Sequence, residues 1–440
     1  MSWEIVLLAF LSCLLVLMFT GIPVAFAFLT TSILASTLLF GFETGVDRMV
    51  TSIPSFIGNY ALLPIPMFVL MGELLFQAQV ATRTLDAVAK IVGRVPGRLG
   101  VITMAGGTAL GTLSGSAVAT TSMLSRTLIP EMLDRGYSKS MSAGPILAAG
   151  GLAMIVPPSA MAVLVGTIGN ISIGRLLVAG ILPGLLLATL SVTYIVVRCW
   201  RDPSQAPNYE SPRISTRERL VIVVRDILPL GLVVLVILGL IVRGIATPTE
   251  AAAFGVLAAA ILMVGYGTAS RDAVVRSLLG TVRLSGMILL IMGGAAAYSQ
   301  LLAFSGATRD LLALVTDLPV HPLVVIAAMV LIVVLMGSPM EQVSILLITL
   351  PVFVPVVVAL GYDPVWFGIL MLITMDMANL TPPLGLGLFA VKGAAPESFS
   401  FADVCRAAVP FIGVDLAAIA LMMAFPAIVL VLPDLLLGAT

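Results

Sequence analysis

Ile155-Val156-Pro157-Pro158-Ser159 and Asn379-Leu380-Thr381-Pro382-Pro383 each set a proline pair in the middle of an apolar run. Proline gives no N–H to a helix, and its ring strikes the carbonyl one turn back, so each pair breaks the helix that carries it. At membrane depth such a break is tolerated only where protein or water covers it. The two pairs lie 225 residues apart, and other landmarks recur at that offset: Pro23 with Pro248, Pro130 with Pro355, Gly136-Tyr137 with Gly361-Tyr362. Pro183 lands within two residues of Pro410. Prolines are common in membrane helices, but repeated agreement at one offset implies duplication. The chain reads as two copies of one unit, residues 1–200 and 220–440, joined by the hydrophilic stretch 201–219.

Composition supports that reading. Of 440 residues, 60% are hydrophobic and 10% charged, the mean hydropathy is +1.17, and 22 basic residues balance 22 acidic ones. A soluble domain carries about 25% charged residues, and chains beyond ~250–300 residues divide rather than enlarge one core. The excess apolar surface must face lipid, which excludes a soluble enzyme, a disordered chain and a nucleic-acid binder. Cys13, Cys199, Cys405 and His321 show no metal-ligand spacing, and there is no phosphate-binding loop of the ATPase type. Ser114 and Ser116 have no His or Lys nearby in sequence to act as a base. The chain is expected to be no enzyme and to carry no organic cofactor.

About 20 apolar residues cross the ~30 Å of hydrocarbon. Full spans are expected near 3–20, 22–41, 61–79, 141–172, 174–199, 220–243, 248–267, 284–304, 364–391 and 407–432. Two further stretches, about 99–135 and 320–360, are too long for one span and too interrupted for two. They read as re-entrant helical hairpins. Segments 82–98 and 269–283 mix basic with apolar residues and read as interfacial helices or plain loops. With both termini outside, only Arg48, Arg175, Arg243 and Arg309 remain on the outer face; the other eighteen basic residues fall inside, as the positive-inside rule requires. An odd number of spans plus one hairpin separates corresponding points, so the second copy is inverted. The expected fold is an all-α polytopic membrane protein with an inverted repeat, the pattern of many secondary transporters.

The first hairpin turns at Leu113-Ser114-Gly115-Ser116-Ala117 and its mate at Gly337-Ser338-Pro339-Met340-Glu341. Carbonyls freed by the proline pairs, with Ser and Thr hydroxyls, are hard oxygen ligands suited to Na⁺. Half-helix N-termini carry partial positive charge suited to an anion. Four such ends converge if the repeats face each other. Intramembrane carboxyls count as functional by default, and Glu341 and Asp376 are placed to coordinate or gate a cation. Glu73 and Glu250 lie near span ends, where helix capping or an interhelical role is equally open. Asp415 has no repeat mate and receives no role.

The ordered set of motifs then resembles one family. It comprises Gly111-Thr112-Leu113-Ser114-Gly115-Ser116-Ala117, Ile129-Pro130-Glu131-Met132, Val156-Pro157-Pro158-Ser159 and Gly180-Ile181-Leu182-Pro183-Gly184 in the first half. In the second half come Ala246-Thr247-Pro248-Thr249-Glu250 and Thr381-Pro382-Pro383-Leu384-Gly385. Together they resemble the large membrane (DctM-type) subunit of tripartite ATP-independent periplasmic (TRAP) transporters. The resemblance implies Na⁺-coupled uptake in the bacterial inner membrane by an elevator motion. It also implies a small four-helix membrane subunit and a periplasmic substrate-binding protein as partners, and a small organic anion, a carboxylate, as cargo.

Carried onto this chain, substrate is expected beside Ser114, Gly115, Ser116, Ser159, Pro339, Met340 and Glu341. One Na⁺ is expected beside Ser114, Ser116 and the carbonyls of Ile155, Val156 and Pro157, and another beside Gly337, Asp376, Asn379, Thr381 and Pro382. Glu341, Thr374 and Asp376 depart from the family pattern, which has an Asp at the hairpin tip and an Asn near Thr374. The alternative is a stand-alone Na⁺ or H⁺/carboxylate symporter with the same architecture.

Overall fold

The computed structural model describes residues 3–114, 117–207, 215–316, 318–337, 340–383 and 385–438, and every regular element among them is helical. The first half opens with two short apolar helices, α1 (Trp3–Phe19) and α2 (Val24–Phe40), parted by the Gly21–Pro23 turn. An amphipathic helix α3 (Phe42–Ile57) precedes α4 (Pro64–Gln77), and α5 (Val80–Ile91) is amphipathic again. Arg98 folds back to donate to the Val92 carbonyl at 2.9 Å and to the Ala89 carbonyl, satisfying orphan acceptors at the end of α5. Next come α6 (Arg98–Ser114) and α7 (Ala117–Asp134), packed on each other, then α8 (Lys139–Ile155), α9 (Ala160–Ile168), α10 (Ile173–Ala179) and α11 (Ile181–Arg201).

The second half opens with α12 (Thr216–Ile222), whose first turn is closed by a Ser215–Glu218 capping box. After one π turn it continues as α13 (Leu228–Val242). Thr247 and Glu250 form a second capping box on α14 (Pro248–Gly265), which gives Glu250 a structural role. The remaining helices are α15 (Arg271–Phe304), α16 (Ala307–Thr316), α17 (Pro322–Met336), α18 (Gln342–Ala359), α19 (Pro364–Leu380), α20 (Leu386–Ala394), α21 (Phe401–Ala424) and α22 (Ala427–Leu437).

Helices α7 and α18, and α8 and α19, begin and end 225 residues apart. The turns that follow α7 and α18 hold Gly136 and Gly361, each at φ +80, a conformation that costs other residues more than glycine. Both proline pairs are joined by cis bonds. α8 is buried from Met141 to Ile155 and α19 from Val365 to Leu380, so these two helices form the centre of the molecule. α6, α7 and α21 pack on α8; α17, α18 and α21 pack on α19. Exposed apolar side chains such as Leu38, Leu235, Val264 and Val282 ring the outside, the surface lipid requires.

Among the described residues, seven helical stretches are individually long and apolar enough to cross a membrane. An eighth is the pair α8 and α9, bent by 49° where Val156 to Ser159 interrupt it. Several boundaries differ from the ten expected spans. The segment 269–283 is no separate interfacial helix. It is the start of α15, which runs 34 residues from a Ser270 cap, because no proline interrupts it. The span expected at 407–432 is two helices, α21 and α22, parted at Phe425-Pro426. The linker is narrower than 201–219, since α11 reaches Arg201 and α12 starts at Thr216. α3 and α16 were not anticipated; their amphipathic pattern lies in stretches too polar to be read as spans.

Candidate functional site

The two breaks differ in how they repair the backbone. In the first half, Pro158 deprives the Met154 carbonyl of its helical donor, and the Ser159 hydroxyl takes that place at 2.5 Å. The Ser159 oxygen also accepts from the Ala162 N–H at 3.1 Å, capping α9. In the second half, Pro383 does the same to the Asn379 carbonyl, but the residue matching Ser159 is Leu384, which has no hydroxyl. The carbonyls of Asn379 and Thr381 instead crowd the Gly385 backbone, where a Cβ would sit 2.5 and 3.0 Å from them. The Asn379 side chain accepts from the Gly387 N–H at 2.9 Å and leaves its Nδ2 without a protein acceptor. The Thr381 hydroxyl donates to the Met377 carbonyl at 2.7 Å.

The hairpins close on these breaks through small residues. On α6, a Cβ on Gly107 or Gly111 would run into Ala149 or Ala153 of α8, and Gly150 of α8 faces Thr121 of α7. Gly337, just past α17, lies against Ala378 of α19. This brings Gly337 to the same end of α19 as Asn379, Thr381 and Pro382. The tip residues Gly115, Ser116 and Pro339 lie outside the described residues, as does the side chain of Ser114.

Between the hairpins and the breaks lies a cavity of about 130 Å³. Its lining includes Ala117 and Val118 at the start of α7, Ser159 and Ala160 at the start of α9, Gln342 and Val343 at the start of α18, and Leu386 at the start of α20. Four helix N-termini therefore converge on one space. Each brings the partial positive charge of a helix start, the usual physical basis of anion binding in proteins, although one N–H of α9, α18 and α20 is already taken by Ser159, Glu341 and Asn379 respectively. Leu284, Met287 and Ile288 of α15 close the opposite wall. Ser159 and Glu341 line the cavity, Glu341 capping α18 through Oε2 to the Val343 N–H at 3.1 Å, and Met340 is buried beside it.

Not every expected ligand lies here. The carbonyl of Ile155 abuts Gly180 at the α10–α11 corner. Val156 closes α8, its N–H donating to Leu152 at 3.0 Å, and Pro157 follows it in the break. Asp376, expected beside Gly337, lies instead against Gly151 of α8. Asp376 and Ala378 are two positions apart, which turns their side chains about 200° from each other on a helix of 3.6 residues per turn. Ala378 faces Gly337, so Asp376 faces away from it. Sequence reading had also left out Ala117, Gln342 and Leu386. Their signal was the position directly after each break, where a helix begins.

The arrangement of broken helices about a shared cavity defines a transporter-like membrane fold. A solved structure of the Alcanivorax borkumensis YdaH transporter matches it with a TM-score of 0.65, covering 91% of this chain and 95% of that one at 14% identity, a likeness of fold. Residues 11–428 match the family model described as "Tripartite ATP-independent periplasmic transporter, DctM component", and the chain belongs to that family. It is similar to the C4-dicarboxylate TRAP transporter large permease protein DctM of Pseudomonas aeruginosa, 32% identical over 86% of this chain and 87% of that protein. It is also similar to the sialic acid TRAP transporter large permease protein SiaM of Vibrio cholerae, 30% identical over 96% of this chain and 97% of that protein. The chain is thus a multi-span TRAP permease subunit and not an enzyme.

Proposed function

We propose that this subunit carries a small organic anion, a carboxylate, from periplasm to cytoplasm on an inward Na⁺ gradient. The carrying observation is the convergence of four helix N-termini on the cavity between the hairpins and the proline breaks. A carboxylate there accepts backbone N–H groups and meets the positive ends of α7, α9, α18 and α20. The names of the two relatives, one for C4-dicarboxylates and one for sialic acid, agree with an acidic cargo.

In this reading both hairpins are re-entrant, both termini are periplasmic, and Na⁺ occupies two or more sites. One lies beside Ser114, Ser116 and the carbonyls around Pro157; the other lies at Gly337, Asn379, Thr381 and Pro382. The Asn379 and Thr381 carbonyls, drawn together at the Gly385 backbone, support the second site. Cation binding draws each hairpin tip onto its break, and the body holding α6–α9 and α17–α20 then moves inward as an elevator. A small four-helix membrane subunit braces the scaffold, and a periplasmic binding protein delivers the anion.

The test is uptake by vesicles holding the three components. An inward Na⁺ gradient drives accumulation, and Ser116→Ala and Thr381→Ala each weaken Na⁺ dependence while the protein still inserts. Equal uptake under a proton gradient alone removes the Na⁺ assignment. Accumulation by this chain without partners shows a stand-alone symporter instead.

A further inference from the structure

Asp376 and Asp415 are 2% and 5% exposed, on different helices, and each keeps one carboxyl oxygen sealed from solvent without a hydrogen-bond donor. Three observations bring them together. Lys139 and Asp403 pair at 2.7 Å where α8 and α21 begin, so the two helices start side by side. Twelve residues further along each come Gly151 and Asp415, about 18 Å in at 1.5 Å per residue. Gly151 is the residue against which the Asp376 carboxyl lies; Phe411 and Ala407 lie against Gly144 of α8, and buried Asp415, one turn beyond Phe411, stands on that same α8-facing side of α21.

No Lys, Arg or His among the described residues forms an ion pair with either carboxyl. Lys139 is held by Asp403 at the inner end, and Arg175 is held by Asp363 and Asp434 at the far end of α19. Lys392 of α20 donates to the Phe399 carbonyl at 2.5 Å, and Glu341 caps α18. Asp376 also sits in the last turn of α19, where the helix end is negative. Two buried carboxyls in that field must be neutralised, by protons or by a positive ion held between them.

We propose that Asp376 and Asp415 hold one Na⁺ between α19 and α21, against Gly151, on the side of α19 away from Gly337. It rests on the cation-driven reading for its use in transport, but the site itself is tested without transport. Its ligands come from α19, which carries a proline break, and from α21, so occupancy ties the moving break to the helix behind it.

The experiment measures ²²Na⁺ bound at equilibrium to the full chain in lipid nanodiscs at fixed pH, with choline as the balancing ion. Asp415→Asn and Asp376→Asn each bind one equivalent fewer than the wild type or lose at least tenfold in affinity for it, and Asp415→Glu retains it. Far-UV dichroism identifies the folded variants, and the Asp415→Glu comparison serves where an Asn variant does not fold. Unchanged ²²Na⁺ binding in a folded Asn variant, or loss in Asp415→Glu equal to that in Asp415→Asn, overturns the proposal. Na⁺-driven uptake that persists beside unchanged binding leaves the transport reading standing, whereas lost equivalents with Na⁺-independent uptake do the reverse.

Discussion

Gly337 lies so close to Ala378 that the end of α17 and the last turn of α19 touch through a Cα and a methyl group. The contact joins the second hairpin to the second proline break, and no side chain larger than hydrogen fits at residue 337 without displacing one of them. Gly337→Ala is expected to cut Na⁺-driven uptake at least tenfold while leaving membrane insertion intact. Ala378→Gly on that background restores part of it. Uptake assays on the single and double variants check this; full activity in Gly337→Ala would show that the contact is dispensable.

Ser159 carries a second prediction. Its hydroxyl both satisfies the Met154 carbonyl and caps α9. Ser159→Ala removes the cap and leaves a buried acceptor, at a cost of about 1–3 kcal/mol. A lowered thermal midpoint in detergent is the expected result, with Ser159→Thr closer to the wild type.

Arg175 anchors the C-terminal helix. It is 6% exposed, donates to Asp434 at 2.5 Å and to the Gly438 carbonyl at 2.6 Å, and lies 3.7 Å from Asp363. Arg175→Met strands these acceptors. Because the Asp434 side chain is 39% exposed, the loss falls below the range for a fully buried pair, on the order of 2 kcal/mol. Limited proteolysis should then cut first near α22; an unchanged cleavage pattern contradicts the anchoring role.

Acid should loosen the entry to the linker. The Asp202 carboxylate accepts from the Ser204 hydroxyl at 2.5 Å and from the Gln205 amide at 2.9 Å, which holds it below the ordinary carboxylate range. A lowered folded value stabilises the turn above the unfolded value of about 3.9 and loses that contribution as pH falls through the folded one. Gln205 in turn accepts from Ser138, the cap of α8. Amide protection at residues 204–206, corrected for the intrinsic pH dependence of exchange, is expected to fall below pH ~4 in the wild type, and to be low at neutral pH as well in Asp202→Asn.

The 225-residue recurrence of α7 in α18 and of α8 in α19, and the two proline breaks, were legible because proline and glycine act locally, through a missing N–H or a missing Cβ, wherever the chain carries them. For Glu250 the sequence left a cap and an interhelical role equally open, and the structure decided for the cap with Thr247 three residues before it. Helix ends were less so. The 34-residue length of α15 depends on packing along its whole face, and its basic first turns resemble a surface segment when read alone.

The placement of Asp376 shows the limit most clearly. Its position three residues before Asn379 put it near the second break, and its charge in an apolar run made it a candidate for function. Which way it faces was decided by α8, where Gly151 leaves room for a carboxyl, and by α21, which packs on both α8 and α19. Linear spacing determines the turn of a helix on which a side chain stands; only the neighbours packed around that helix determine what the side chain meets.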